Sequence, residues 1–408
     1  MNRAITGFIL VLAQIIFSCA NRSSSDVSDF PNDSISESVE NRKANSDFSP
    51  AFKGQTRIRA VKTQAQYSVS ILSEGLNRPW GIALLPDGRL LITEKQGNMR
   101  IVTSSGTIGQ EISGLPQVNS NGQGGLLGLT VDPQFKQNRI VYWTFSEKGK
   151  SGNVTAVGKG RLSDDEKNIE NAKVIYRALP EYDGVLHYGS RIIFDRNGNL
   201  FVSTGERSDR ETRPQAQKLN SALGKIVRIT TDGKPADRNP FINKPDVLPE
   251  IFSYGHRNVQ GLAIHPVSKE LWANEFGPRG GDELNLIQAG KNYGWPLISY
   301  GIEYNGSLVG NGQTQMKNLE QPVYYWDPVL SPSGMTFYHN GKISEWENNL
   351  FICGLNSSHI ARLIIENNIV VGEERLLENE GQRFRDIVQG FNGELYVITD
   401  EGRLYKIE

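Results

Sequence analysis

Five histidines stand in the chain of 408 residues, and one of them is placed for proton transfer. His187, in Leu186-His187-Tyr188-Gly189-Ser190, comes immediately before an apolar run, at what reads as a strand entrance. An unperturbed imidazole titrates near pH ~6.5, which makes histidine the usual general base near neutrality. Glu206, in Thr204-Gly205-Glu206, lies just past the outgoing strand of the same unit. A hairpin brings those two ends together, so this carboxylate can orient the ring. His256-Arg257-Asn258 precedes a later run in the same way, and Arg257 is a permanent cation with a planar fork of donors. Arg383 and Arg385 precede another, and strand alternation puts their guanidinium groups on one side. Gln123, in Gly122-Gln123-Gly124-Gly125, precedes a fourth. Polar groups therefore recur at one structural position, and several cations gathered there call for an anionic ligand. The segment Glu275-Phe276-Gly277-Pro278-Arg279-Gly280-Gly281-Asp282-Glu283 mixes carboxylates with glycines that free backbone carbonyls. That donor set suits a hard cation such as calcium, although the spacing is not that of an EF-hand. The glycines around Gln123 lack the Gly-x-Gly-x-x-Gly spacing and precede no strand–helix unit, which argues against a nucleotide fold.

The elements that must position these groups are read from a repeat. An apolar run, a turn and a second apolar run recur from Gly81, Gly128, Arg191, Gly261, Gly334 and Asp386. Asp87-Gly88, Asn197-Gly198 and Asn392-Gly393 sit at the turns, a strong short-range hairpin signal. Units of this size in a β-rich chain predict an all-β, six-bladed β-propeller, in which stacking around an axis hides both faces of each hairpin and leaves short edges. A pair of β-sandwiches is the competing fold. The loops entering the inner strands then line one mouth of the channel. Ring closure predicts pairing of Tyr67–Leu72 with Leu404–Ile407. The 42 glycines fit many tight turns, and 44 basic against 45 acidic side chains exclude a phosphate-tracking basic surface and so a nucleic-acid partner.

The N-terminus reads as an export signal. Arg3 is followed by a largely apolar run from Ala4 to Phe17, too short to span a bilayer, which needs about 20 helical residues. Ser18-Cys19 places a small residue before a cysteine, as at a lipoprotein processing site. The expectation is therefore a signal peptide over residues 1–19 and a soluble domain in the periplasm or at the outer membrane. A lipid anchor on Cys19 would be its only membrane contact. Residues 20–66, poor in apolar side chains, read as a disordered polar tether, with the propeller over residues 67–408. Cys353, inside Leu350-Phe351-Ile352-Cys353, reads as a small buried hydrophobe, and the mature chain can form no internal disulfide.

Five motifs in order resemble the soluble aldose sugar and glucose dehydrogenases that use pyrroloquinoline quinone. They are Gly122-Gln123-Gly124-Gly125-Leu126-Leu127-Gly128, Tyr254 to Leu262, Gly277-Pro278 with Gly281-Asp282-Glu283, Asn292-Tyr293-Gly294-Trp295-Pro296 and Arg383-Phe384-Arg385-Asp386. The resemblance spans roughly residues 70 to 408. It implies an oxidoreductase that takes an aldose to a lactone by hydride transfer to the quinone, with an external electron acceptor. His187 matches the general base and Glu206 its acidic partner. Gln123, Arg257, Asn258, Arg383, Arg385 and Tyr304 match quinone contacts, Arg257 steadying negative charge on the quinone carbonyl. The carbonyls of Gly277 and Pro278 match ligands of a calcium on the cofactor, and Glu283 and Tyr293 match a second calcium site. A tricarboxylate cofactor gives clustered arginines a reason to exist. Leu355 is followed by Asn356 where the family commonly has a lysine, so one expected cation is missing, and Leu186 stands before the base where glucose-active relatives often carry an acid. The alternatives are a non-catalytic propeller that binds glycans or proteins and, less well supported, a calcium-dependent lactone or ester hydrolase.

Overall fold

The computed structural model describes residues 37–408 together with Met1. The leader, Cys19 and the first part of the polar segment lie outside the described residues. Six antiparallel sheets follow one another along the chain. Their first strands are Pro79–Leu84, Leu126–Val131, Ile192–Phe194, Val259–Ile264, Pro332–Phe337 and Phe384–Gln389, the six runs of the repeat. Each of these strands packs against those of the two neighbouring sheets, the sixth against the first, so the ring closes as a six-bladed β-propeller. Blade one has three strands, extended by isolated bridges from Met99 to Ile112 and from Val102 to Ile108. Blade six takes its outermost strand from the start of the domain: Val69–Ser73 pairs with Leu404–Ile407 in the register Val69 to Ile407 and Ile71 to Tyr405. This is the closure expected from the sequence, and it ties the first strand to the last.

Why the repeats open on glycine is visible at the axis, where first strands converge. A Cβ on Gly128 would stand 2.2 Å from the Ser190 carbonyl oxygen of blade three, and one on Gly261 2.5 Å from that of Ser333 in blade five. Second strands then stitch each blade to the next. The hydroxyls of Thr93 and Thr144 donate to the carbonyls of Leu127 and Ser190, each at 2.6 Å. Ser203 and Asn274 do the same to Val259 and Ser333. Repeats three and six break the glycine rule. They carry Arg191 and Asp386, which meet as an ion pair with both side chains 6% exposed. Between blades the core is apolar and aromatic: Leu91, Trp143 and Phe145 join blades one and two, and Trp272, Phe337 and Leu350 join blades four and five.

The sequence reading begins the fold near Tyr67; the structure begins it by Glu37. Val39 bonds Ile58, Ala60 bridges Glu373 and Val61 bonds Glu373, which lays residues 37–66 along the rim of blade five. The backbone N–H groups of Asn45 and Ser46 donate to the Asp327 carboxylate, and Thr63 gives both its N–H and its hydroxyl to Glu374. Gln55 is fully buried and bonds Pro322. The tether expectation fails over this stretch because polar side chains and backbone hold it, with Ile58 and Ala65 adding apolar contact to the core.

Candidate active site

All six blades contribute to one cavity of about 460 Å³ at the end of the channel where chains enter the first strands. Its lining includes Trp80, Lys95, Gln123, Gly189, Gln260, Ser331, Leu355, Arg383 and Arg385. Arg383 and Arg385 point the same way, as alternation requires, and share one acceptor. Arg383 Nε lies 3.0 Å from Asp400 Oδ2, while Arg385 binds the same carboxylate through Nε at 2.7 Å and Nη2 at 3.0 Å. Burial works to raise the Asp400 pKa, but the two guanidinium groups outweigh it and hold it below the ordinary carboxylate value. Trp80 forms part of the floor, with the Arg385 and Arg191 guanidinium carbons 5.7 and 4.6 Å from its ring centre.

His187 adjoins this cavity rather than lining it. Its backbone N–H donates to Gln123 Oε1 at 2.8 Å, and its neighbours Tyr188 and Gly189 form the wall. The residue sits at φ +47°, a left-handed conformation uncommon for a side chain of this size, which turns the ring inward at the strand entrance. Nδ1 lies 2.6 Å from Glu206 Oε1, which also accepts the Ser208 N–H. A carboxylate that already accepts from a backbone amide is an acceptor for the ring as well, so Nδ1 carries the proton and Nε2 holds the free pair. Among the described residues Nε2 has no hydrogen-bond partner. Burial first, then the positive charge of Arg257, press the imidazolium down against the pull of Glu206, to a pKa of about 4. The ring is therefore neutral at pH 7.

Arg257 is 3% exposed and is aimed by a second acid–imidazole pair. Glu275 Oε2 takes its N–H at 2.6 Å and Glu275 Oε1 takes His256 Nδ1 at 2.9 Å, while His256 stacks on Tyr293. The Arg257 and Arg213 guanidinium groups stand 5.1 and 5.3 Å from the Trp295 ring centre, and Arg213 is paired with Glu303. Asn258 Oδ1 accepts the Gly189 N–H, which ties this wall to the cavity. Glu206 Oε2, Arg257 Nε and Asn258 Nδ2 are buried without partners in the described residues, so the wall has polar capacity to spare.

Gly277, Pro278, Glu283 and Tyr293, which the resemblance divides between two calcium sites, border one void of about 10 Å³ together with Arg257 and Glu275. That volume holds about one water-sized sphere. The carbonyls of Gly277, Pro278 and Tyr293 accept no hydrogen bond among the described residues. Burial and the like charge of Glu275 push Glu283 well above the ordinary carboxylate range. Two close carboxylates with only the Asn285 amide between them, plus free carbonyls, form a donor set that a hard divalent cation fits. Asp282, the third acid of the segment, is committed elsewhere: it accepts from the N–H groups of Gly277, Leu330 and Ser331 and so anchors the loop to blade five.

Tyr304 does not join the site. It is 71% exposed and lines neither the cavity nor the void. Sequence reasoning passed over Lys95, Arg78 and Arg213, which follow no motif; only the fold brings Lys95 and Arg78 to the cavity and Arg213 to Trp295 beside Arg257.

Residues 76–406 match the glucose/sorbosone dehydrogenase family. The aldose sugar dehydrogenase YliI of Escherichia coli is 41% identical over 84% of this chain and 93% of its own length. A crystal structure of the soluble aldose sugar dehydrogenase of Escherichia coli, in its apo-form, superposes with a TM-score of 0.81 at 41% identity, covering 84% of this chain and 99% of that one. The quinone-bound aldose sugar dehydrogenase of Streptomyces coelicolor superposes with a TM-score of 0.71 at 29% identity, covering 85% and 99%. By that match, and with the six blades to go with it, the chain belongs to the glucose/sorbosone dehydrogenase family.

Proposed function

We propose that this sugar dehydrogenase oxidises an aldose, or a related hydroxy-aldehyde, at the anomeric carbon to a lactone, with pyrroloquinoline quinone and calcium as its cofactors and His187 as the base. The carrying observation is the meeting of a cation-lined cavity with a neutral imidazole whose Nε2 is unpartnered. Bound quinone would supply the two-electron acceptor, and calcium beside it a Lewis acid that polarises it. Gln123, Arg383 and Arg385 would hold its carboxylates, while Arg257 and Asn258, with unpartnered buried N–H groups, would face its oxygens. Gly277, Pro278, Glu283 and Tyr293 would hold calcium.

The chain's own part is proton transfer and positioning. His187 Nε2 takes the proton from the anomeric hydroxyl, and Glu206 fixes the tautomer and stabilises the imidazolium that forms. Gln123, through the His187 N–H, sets the ring against the cavity wall. An electron acceptor then reaches the open mouth from solvent. The leader and Cys19 support export to the periplasm or outer membrane with a lipid anchor. Metabolic labelling with a fatty acid, lost in Cys19→Ser, checks that.

The test is reconstitution of the purified protein with quinone and calcium, followed by dye reduction across a panel of sugars. Sugar-dependent reduction, abolished in His187→Ala with quinone uptake intact, is the expected result. A protein that takes up no quinone at micromolar concentration is instead a binding propeller that keeps only the frame of the site.

A further inference from the structure

The cavity is lined by four cationic side chains, Arg78, Lys95, Arg383 and Arg385, against two carboxylates, Asp400 and Glu401. The carboxylates are not shared evenly. Asp400 is held by both arginines of blade six, and Glu401 accepts the Arg383 N–H. Neither Lys95 nor Arg78 has a carboxylate partner among the described residues. Lys95 follows the second strand of blade one and is half-buried, with its Nζ donating to one neutral acceptor, the Gly122 carbonyl. Its backbone and stem run against the loop that carries Gln123: a Cβ on Gly125, itself at φ +140°, would stand 2.3 Å from the Lys95 carbonyl oxygen and 2.6 Å from its Cγ. Burial, then Arg78 and Arg385, hold the ammonium pKa below its ordinary value, so the cations crowd one another. An ammonium held at a cavity wall with two N–H bonds unspent has a vacant place for an anion.

We infer that Lys95 is a cofactor-holding residue, its ammonium taking a carboxylate of the bound quinone on the side of the cavity shared with Arg78. This rests on the proposed function and adds to it a cation from blade one, where blade five offers the neutral Asn356. The competing role for Lys95 is mechanical, a prop under the Gln123 loop.

Titration calorimetry of pyrroloquinoline quinone into the calcium-loaded full chain separates them. Loss of one charge-assisted contact should weaken binding about ten- to a hundredfold. It should also flatten the salt dependence, as expected when a charged contact is removed. Lys95→Met and Lys95→Gln are both expected to show this, with calcium binding unchanged, and Lys95→Arg should restore affinity to within a few-fold. Gln keeps a donor for the Gly122 carbonyl without a charge, so wild-type affinity in Lys95→Gln overturns the inference in favour of the prop, even if Lys95→Met fails to fold. Equal binding by wild type and Lys95→Met, with Arg385→Met weakened, overturns it while the proposed function stands. A wild-type protein that takes up no quinone overturns both.

Discussion

Arg191→Met removes one half of the only charged pair that the repeats place at the axis positions otherwise held by glycine. In the wild type Arg191 Nη1 lies 2.5 Å from Asp386 Oδ2, and Arg191 Nε donates to the Gln260 carbonyl at 2.9 Å. After substitution Asp386 keeps two backbone donors, Ile82 N–H at 3.1 Å and Ile387 N–H at 3.0 Å. Breaking a buried pair by deleting one partner costs about 3–5 kcal/mol. The stacking of the guanidinium on Trp80 at 4.6 Å adds to the loss, but Arg191 Nη2 is a buried donor without a partner, and its removal relieves a desolvation cost of about 1–3 kcal/mol. The low end, about 3 kcal/mol, is the expected net effect. Arg191→Met with Asp386→Leu replaces the pair by apolar groups and should recover most of it, a coupling of about 2–3 kcal/mol. Burial already holds Asp386 above the usual carboxylate range, and loss of the arginine raises it further. A folded pKa above the unfolded value of about 3.9 means that protonation favours the fold, so the penalty in the single variant is full above the folded pKa and shrinks as pH falls toward ~4. Urea unfolding of the wild type, Arg191→Met, Asp386→Leu and the double variant at pH 5 and pH 8, followed by tryptophan fluorescence, reads midpoint and slope separately. A single-variant loss under about 1 kcal/mol, additive singles, or a penalty that grows toward acid would each refute this account of the axis.

Three further outcomes follow from the geometry. The kcat/KM profile should rise with pH through an acid limb near 4, well below the ordinary histidine value, because His187 acts deprotonated; Arg257→Leu removes a repelling cation and should move that limb upward, and a wild-type limb at ~6.5 or above contradicts the assignment. Calcium should raise the melting temperature of the wild type, a stabilisation of about 2.7 kcal/mol at a hundredfold excess over Kd, and Glu283→Gln should abolish that rise; an undiminished calcium response removes Glu283 from the ligand set. Gly158→Ala should cost about 1–3 kcal/mol, since the new methyl would stand 2.3 Å from the fully buried Trp143 indole, and an unchanged melting temperature would show that the blade-two core relaxes around it.

What the sequence made legible was local. Hairpin turns announce themselves through residues that tolerate positive φ, and Gly88, Gly198 and Gly393 do sit at +85°, +79° and +88°. Counting six such units was enough for the ring and its closure. His187 with Glu206 was equally legible, because two ends of one hairpin must meet. The strap over residues 37–66 was not, because its acceptors Asp327 and Glu374 lie far along the chain and no apolar pattern marks the contact. Lys95 and Arg213 carry no motif of their own. Asp282 shows what composition alone leaves open: it stands in the same acidic, glycine-rich segment as Glu283, yet three backbone N–H groups claim it. Composition names candidate donors, and only the register of neighbouring blades says which are already spent.

The two halves of the site are unbalanced in opposite senses. Blades one and six bring more cations than carboxylates to the cavity, and blade four brings Glu275 and Glu283 to a void with no cation in contact except the Arg257 guanidinium. Burial, and after it crowded like charges, depress Lys95 on one side and raise Glu283 on the other. A polyanion in the cavity relieves the first and a divalent cation in the void relieves the second. Because Arg257 borders the void and also acts on His187, filling either half changes the field at the base. The proposed quinone and calcium should therefore bind with positive coupling, each raising the affinity of the other by the same factor. Calorimetry of each in the presence of the other would expose that reciprocity, and independent affinities would mean that the cavity and the void are electrostatically separate.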